Sequence, residues 1–220
     1  MVTYYALRTH LPDLPFWWDV ALLVLPIIPA VLLLVWLALP LWEGAEWFLL
    51  GCAVVCGLAA WGLQHAGYGL PANFAKLAAP TFAGWWFLRW FESVGWVVIV
   101  ACIIPFVDSY SVFWGPTNDI TKHHYAVYSS VAFAFVVPNH SAAQIGPPDV
   151  LFFGLFLAAA ARFRLRVPLT FALTALSFGL TVVIANAANV DGLPALPLLS
   201  IGFLAANADL LLARRRARPA

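Results

Sequence analysis

The sequence predicts an all-α, polytopic membrane helical bundle, and three observations predict it. Of the 220 residues, 64% are hydrophobic and only 10% are charged. Mean hydropathy is +0.91. Apolar runs of the length a helix needs to cross a bilayer, about 20 residues, follow one another along the chain. A soluble globular fold is excluded by this composition. The formal net charge is +1, and the basic residues are scattered over the flanks of the apolar runs rather than gathered on one face, so nucleic acid is not an expected partner.

The first apolar run is too long for a signal-peptide core and lacks a small-x-small exit, so it reads as a retained span. Spans are expected at about 16–41, 45–64, 93–114, 147–163, 167–187 and 193–213, a working count of six helices. Between the second and third, residues 65–92 carry Pro71, Lys76, Pro80, Trp85, Trp86 and Trp90. That mixture suggests a segment lying in the interface, with a seventh crossing as the alternative. Trp17 and Trp18, Trp42 and Trp47, and Trp114 sit at span ends, as interfacial anchors do.

Basic residues collect on the cytoplasmic side of short loops. With six spans and both termini inside, Arg8, Lys76, Arg89, Arg162, Arg164, Arg166, Arg214, Arg215, Arg216 and Arg218 are cytoplasmic, ten of the eleven Lys and Arg residues; only Lys122 is outside. A seventh span disturbs this split, which favours six. The organisation is then residues 1–92 as an amino-terminal helical pair plus interfacial segment, 93–213 as a second group of helices, and 214–220 as a basic cytoplasmic tail. Cys52, Cys56 and Cys102 lie inside apolar runs without a CxxC pair, and read as small buried hydrophobes.

Ionisable groups at membrane depth are candidates for function. Asp108 lies six residues before the outer end of its span, about 9 Å below it at 1.5 Å per residue; the structural alternative is a hydrogen bond to a nearby hydroxyl or to backbone freed by Pro105. Asp149 follows Gly146-Pro147-Pro148, where prolines and an acid in a first turn are ordinary helix-start chemistry. Asp209, shortly before the closing basic run, reads as an interfacial partner of Arg214, Arg215 and Arg216. Asp108 lies toward the end of an outward-going helix and Asp149 opens the next inward-going one, so both share the outer leaflet. Two carboxylates in a low-dielectric site do not both ionise comfortably; sharing a proton, one serves as base toward water and the other as acid toward a carbonyl. That is aspartyl hydrolysis of a peptide bond.

At these residues the chain resembles the intramembrane aspartyl proteases, the presenilin and signal peptide peptidase family. That family carries an aspartate in a Tyr-Asp motif, a second in Gly-x-Gly-Asp at the next helix start, and Pro-Ala-Leu at the start of the last helix. Here Val107-Asp108 followed by Ser109-Tyr110 looks like the first, Gly146-Pro147-Pro148-Asp149 like the second and Pro194-Ala195-Leu196 like the third. Val107 stands in place of the tyrosine, and Pro148 in place of the second glycine. The resemblance covers about residues 93–213. It implies a shortened, prokaryotic-type member in the plasma membrane, with Asp108 and Asp149 as catalytic dyad and Gly146, Pro148, Pro194, Ala195, Leu196 and Tyr110 shaping the site. It implies neither metal nor cofactor, and as substrates the transmembrane segments of membrane proteins or signal-peptide remnants, met within the lipid bilayer. Val131 to Val137, ending at Pro138, resembles an extended segment that pairs with an unwound substrate; a stretch packed on the bundle is the alternative.

Competing functions are a catalytically inactive relative that binds membrane helices, for which Pro148 argues, a proton-coupled carrier or channel using the two aspartates, and a prepilin-peptidase-like enzyme, whose site would face the cytoplasm. His123, His124 and His140 lack a defined ligand spacing and read as solvated loop histidines. No GxSxG or HExxH occurs, so serine and zinc intramembrane proteases are not supported.

Overall fold

The computed structural model describes residues 15–135, 143–190 and 192–216. Arg8, His140, Arg218 and the last part of the 131–137 segment lie outside the described residues. The chain is an all-α bundle, and five of its helices are long and apolar enough to cross a membrane: Phe16–Glu43, Glu46–His65, Val94–His123, Val167–Ala187 and Leu196–Arg214. It is a membrane protein by that measure.

The first rod, α1 (Phe16–Glu43), passes through a π-helical turn at Leu23–Ile27 that contains Pro26. Proline lacks an N–H and crowds the preceding carbonyl, and one widened turn absorbs both defects without breaking the helix. Helix α2 (Glu46–His65) stops at Gly67, whose φ of 80° sets the left-handed cap. There Tyr68 N–H reaches Leu63 C=O at 2.9 Å and Gly67 N–H reaches Gln64 C=O at 3.2 Å, the paired bonds of a Schellman ending.

Helix α3 (Gly69–Phe87) is where the structure departs from an interfacial segment. Its 19 residues make about 28 Å of helix, returning antiparallel to α2 with its other face on α7 (Pro147–Arg162). A Cβ on Gly84 would lie 2.4 Å from Leu151 O, and one on Gly154 would lie 3.4 Å from Thr81. Small residues at both positions let the two backbones approach closely, as membrane helices do where lipid supplies no hydrophobic drive. The buried Trp85 indole N–H donates to Gly154 C=O at 3.1 Å. The polarity that suggested an interface is turned inward: Asn73, Lys76 and Thr81 are all buried.

Helix α4 (Val94–Phe113) leads into two short loop helices, α5 (Pro116–His123) and α6 (Tyr125–Val131), then a two-stranded antiparallel hairpin of β1 (Phe133–Ala134) and β2 (Gln144–Ile145), pairing Phe133 with Ile145 and Ala134 with Gln144. Helix α7 has only 16 residues, yet Phe153 through Ala160 are all buried, making it the centre of the bundle. The turn after it passes through Arg164 (φ 50°), and α8 (Val167–Ala187) is followed by Asn189 (φ 53°). Helix α9 (Leu196–Arg216) packs on α8 and α4. The cysteines are not core residues: Cys52 and Cys56 are half-buried and Cys102 is exposed, because the apolar runs that carry them turn much of their surface outward, where a membrane protein meets hydrocarbon instead of water.

Side-chain bonds tie the helix ends together. Arg89 donates to Trp42 and Gly44 carbonyls, Arg162 to Leu88 C=O and Arg214 to Phe163 C=O. The turns 42–44, 88–91 and 162–166 therefore share one end of the bundle. With α3 as a further traverse, the start of α1 and the end of α9 lie at opposite ends, whereas six crossings would keep them together. Asp209 pairs with Arg166, at 2.9 and 2.6 Å through both oxygens, a partner from the turn before α8; the side chains of Arg215 and Arg216 lie outside the described residues. Arg166 lies at the same end and offers a bidentate fork.

Gly84→Leu is expected to lower stability in detergent by about 1–3 kcal/mol through overpacking against Leu151. Gly57→Ala, with nothing near its added carbon, should not lower the unfolding midpoint. Thermal unfolding followed by circular dichroism reads the difference.

Candidate functional site

Asp108 is carried on the last turns of α4, and α9 begins at Leu196. The first N–H groups of a helix have no partner within it. Leu196 N–H donates to Asp108 Oδ2 at 3.1 Å, so a carboxylate 88 residues away closes the start of α9, where the positive end of the helix dipole favours an anion. Pro194, Ala195 and Leu196 are buried around this bond. Asp108 thus has a structural hydrogen bond, but its partner is the Pro-Ala-Leu tripeptide and not a neighbour on its own helix.

Asp149 is the third residue of α7, after Pro147 and Pro148, with Gly146 as the capping residue. The backbone N–H of Gly146 interacts with its carboxylate, as the free N–H groups of a first turn do with an acid there. Its ordinary helix-start role is thus real. The same carboxylate also interacts electrostatically with Asp108, so the two acids are neighbours across the gap between α4 and α7. A Cβ on Gly146 would lie 3.4 Å from Asp149 Oδ2 and 3.8 Å from the Tyr128 hydroxyl. Both are ordinary van der Waals distances, and the Gly146 φ of −67° is open to any residue. Pro148 is exposed, in a first turn where the missing N–H has no partner to lose.

Tyr110 is not part of this group. It is 62% exposed on the outer face of α4, because two residues advance a helix by about 200° and so turn it away from Asp108. The tyrosine at the site is Tyr128 on α6. Burial first, then Asp149, Tyr125 and Asp108, push its phenol up to about 12, so it stands as a neutral hydroxyl at physiological pH. No pattern in the sequence marks it; only the folding back of α6 brings it near Asp149.

The hairpin before Asp149 is held by α3. Asn73 donates to Ala134 C=O at 2.6 Å and accepts from Ala134 N–H at 2.8 Å, filling the outer edge of β1 as a neighbouring strand would. Lys76 donates to Ser129 C=O at 3.0 Å. Two polar residues three apart in an otherwise apolar segment are the available sequence signal, since that spacing places both on one helix face. Asp19, another acid that sequence reasoning passes over, is buried near the start of α1. In the loop, His123 bonds to Asp119 at 2.9 Å within α5, and no group of three or more metal-ligating side chains forms among the described residues.

Compared with models of known protein families, with curated proteins and with solved structures, the chain gives no match. Function is therefore read from the geometry alone.

Asp108→Leu is expected to cost about 1–3 kcal/mol, because it strands the buried Leu196 N–H, while Asp108→Asn keeps an acceptor there and should stay within about 1 kcal/mol of the parent. Equal stability of the two variants in detergent unfolding would show that the bond does not hold α9.

Proposed function

We propose that this chain is an intramembrane aspartyl endopeptidase, similar in chemistry to presenilin and signal peptide peptidase, that hydrolyses peptide bonds of transmembrane helices with Asp108 and Asp149. One observation carries the proposal: two acids from separate helices interact across a gap, and the first is bonded to Leu196 of the Pro-Ala-Leu tripeptide. A carboxylate kept only to cap a helix needs no second acid beside it.

In the proposed reaction the dyad holds one proton. The ionised member takes a proton from water as its oxygen bonds to the scissile carbonyl carbon, and the protonated member donates to the carbonyl oxygen. Collapse of the gem-diol breaks the C–N bond as the leaving nitrogen takes the proton from one aspartic acid and a hydroxyl of the diol gives its proton to the other, leaving a carboxylic acid, an amine and a dyad that again holds one proton. Leu196 N–H fixes the orientation of Asp108. Gly146 lies beside Asp149, and Tyr128 offers a hydroxyl at its edge. Pro194 and Ala195 form the wall of the site.

Helical peptide bonds are closed to attack until the substrate unwinds, and unwound backbone at membrane depth needs new partners. The hairpin supplies them by strand addition. Asn73 occupies the outer edge of β1, which directs an incoming strand to β2. There the alternation of an antiparallel ladder leaves backbone N–H and C=O groups facing away from β1, a few residues before Asp149.

Seven crossings revise the proposed orientation. With the C-terminal run cytoplasmic, Arg89, Arg162, Arg164, Arg166, Arg214, Arg215, Arg216 and Arg218 are inside, eight of the eleven basic residues. Lys76 is within the bundle, and Arg8 and Lys122 are outside. The acids stay in the outer half, and the chain's beginning moves outside. Cysteines placed at Tyr68 or Lys122 should react with an impermeant reagent on intact cells, and one at Arg164 only after permeabilisation. Labelling at Arg164 from outside would reverse the orientation.

Purified protein is expected to cut a single-span helical peptide in lipid, with Asp108→Asn and Asp149→Asn each reducing the rate by at least about 10³-fold while remaining folded, since either change removes the shared proton's second holder. Cutting that survives Asp149→Asn leaves that residue as a helix cap only. Binding of helices without cutting in the parent protein identifies an inactive relative.

A further inference from the structure

At the end of the bundle opposite the two acids, an open groove of about 580 Å³ runs between the last turns of α1 and the end of α7, lined by Leu33, Trp36, Leu37, Trp42, Glu43 and Ala161. Beside it stand two cations. Arg162 follows Ala161 at the close of α7, and the Arg89 guanidinium lies 5.4 Å from the centre of the Trp42 ring. The two guanidiniums are close enough to repel one another, and neither has a carboxylate partner among the described residues. Their bonds go to the carbonyls of Trp42, Gly44 and Leu88, which orient the forks without cancelling the charge. The Arg89 Nε is buried with no hydrogen-bond partner.

We propose that this groove is a phospholipid site: the acyl chain lies along Leu33, Trp36 and Leu37, the phosphate rests against Arg89 and Arg162, and a primary ammonium on the headgroup meets Glu43, as in phosphatidylethanolamine. The apolar walls and the volume of the groove suit a chain rather than a free phosphate. Paired guanidiniums match a phosphate diester's two free oxygens. Glu43 is exposed at the same groove, and it sets the headgroup. A phosphatidylglycerol adds no cation to answer the carboxylate, and a trimethylated choline has no N–H to donate to it. This site is independent of the protease reading, because it involves neither acid of the pair.

The test uses the whole protein in mixed micelles of phosphatidylethanolamine, phosphatidylglycerol and phosphatidylcholine at equal concentration, with retained lipid counted by native mass spectrometry. The parent is expected to hold one phosphatidylethanolamine with about tenfold preference, the size of one charge-assisted hydrogen bond. Arg162→Gln should lose retention of all three lipids, and Arg162→Lys should recover part of it. Glu43→Gln touches only an exposed side chain, so folding is not at stake; it should keep a bound phospholipid but erase the preference over phosphatidylglycerol. Retention in the parent no greater than the micelle ratio, or a preference unchanged in Glu43→Gln, overturns the proposal.

Discussion

Hydrocarbon offers no hydrogen bonds, so every backbone group released where a helix stops must be met from within the protein. That constraint accounts for most of the long-range polar contacts in this chain. Arg89 meets the carbonyls at the end of α1, Arg162 the one at the end of α3 and Arg214 the one after α7. Asn207 Oδ1 accepts from Arg166 N–H at 3.0 Å, and its amide donates to Thr170 Oγ1 at 2.9 Å. Asp108 meets the first N–H of α9, and Asn73 meets both groups of Ala134. None of these partners is local. Each bond names which helix ends lie side by side, and together they set the arrangement that apolar packing alone leaves loosely specified.

The same constraint shapes the gap between the acids. Helix α4 packs on α9, α7 packs on α3, and α4 and α7 have little direct contact. Asp108 is therefore positioned through α9, by way of Leu196, while Asp149 is positioned through α3, which grips both α7 and the hairpin leading into it. The two acids belong to different halves of the bundle and meet at the seam. Asn73 fills the outer edge of β1, and β2 leads through Gly146 directly into α7 and Asp149.

How much of this is legible in the sequence depends on whether a residue's partner lies nearby along the chain. The five long apolar helices are readable from hydropathy, because each carries its own evidence. Asp108 and Asp149 stand out because charge is rare in apolar runs, and the sequence also shows that Asp149 has ordinary helix-start chemistry; that the two interact across α4 and α7 is seen only in the fold. Helix α3 is less legible for the converse reason: Asn73, Lys76 and Thr81 dilute its hydropathy, so the sequence leaves open an interfacial segment or a crossing, and the partners of the first two, Ala134 and Ser129, are 61 and 53 residues on. Closeness in sequence points to Tyr110, yet on a helix closeness says nothing about direction unless the spacing is three or four, and Tyr128 arrives from another element. By the same logic Asp209 reads as a partner of its neighbours on α9, whereas the fold brings Arg166 across from the turn before α8.

The proline before Asp149 fits the local geometry of the helix start. In the Gly-x-Gly-Asp pattern the second glycine suggests a backbone that no other residue adopts. Here the residues ahead of Asp149 use no such conformation: Gly146 is extended at φ −67° and ψ 152°, and the helix has begun by Pro147. Proline is pre-set for a first turn, so Pro148 fixes the start of α7 and with it the height of Asp149, at no loss of a hydrogen bond. Gly146 lies beside the acid, its added carbon 3.4 Å from Asp149 Oδ2 and 3.8 Å from the Tyr128 hydroxyl, which is ordinary van der Waals contact. What this arrangement requires is then a first turn that accepts proline and an acid three positions after the cap, and this chain has both.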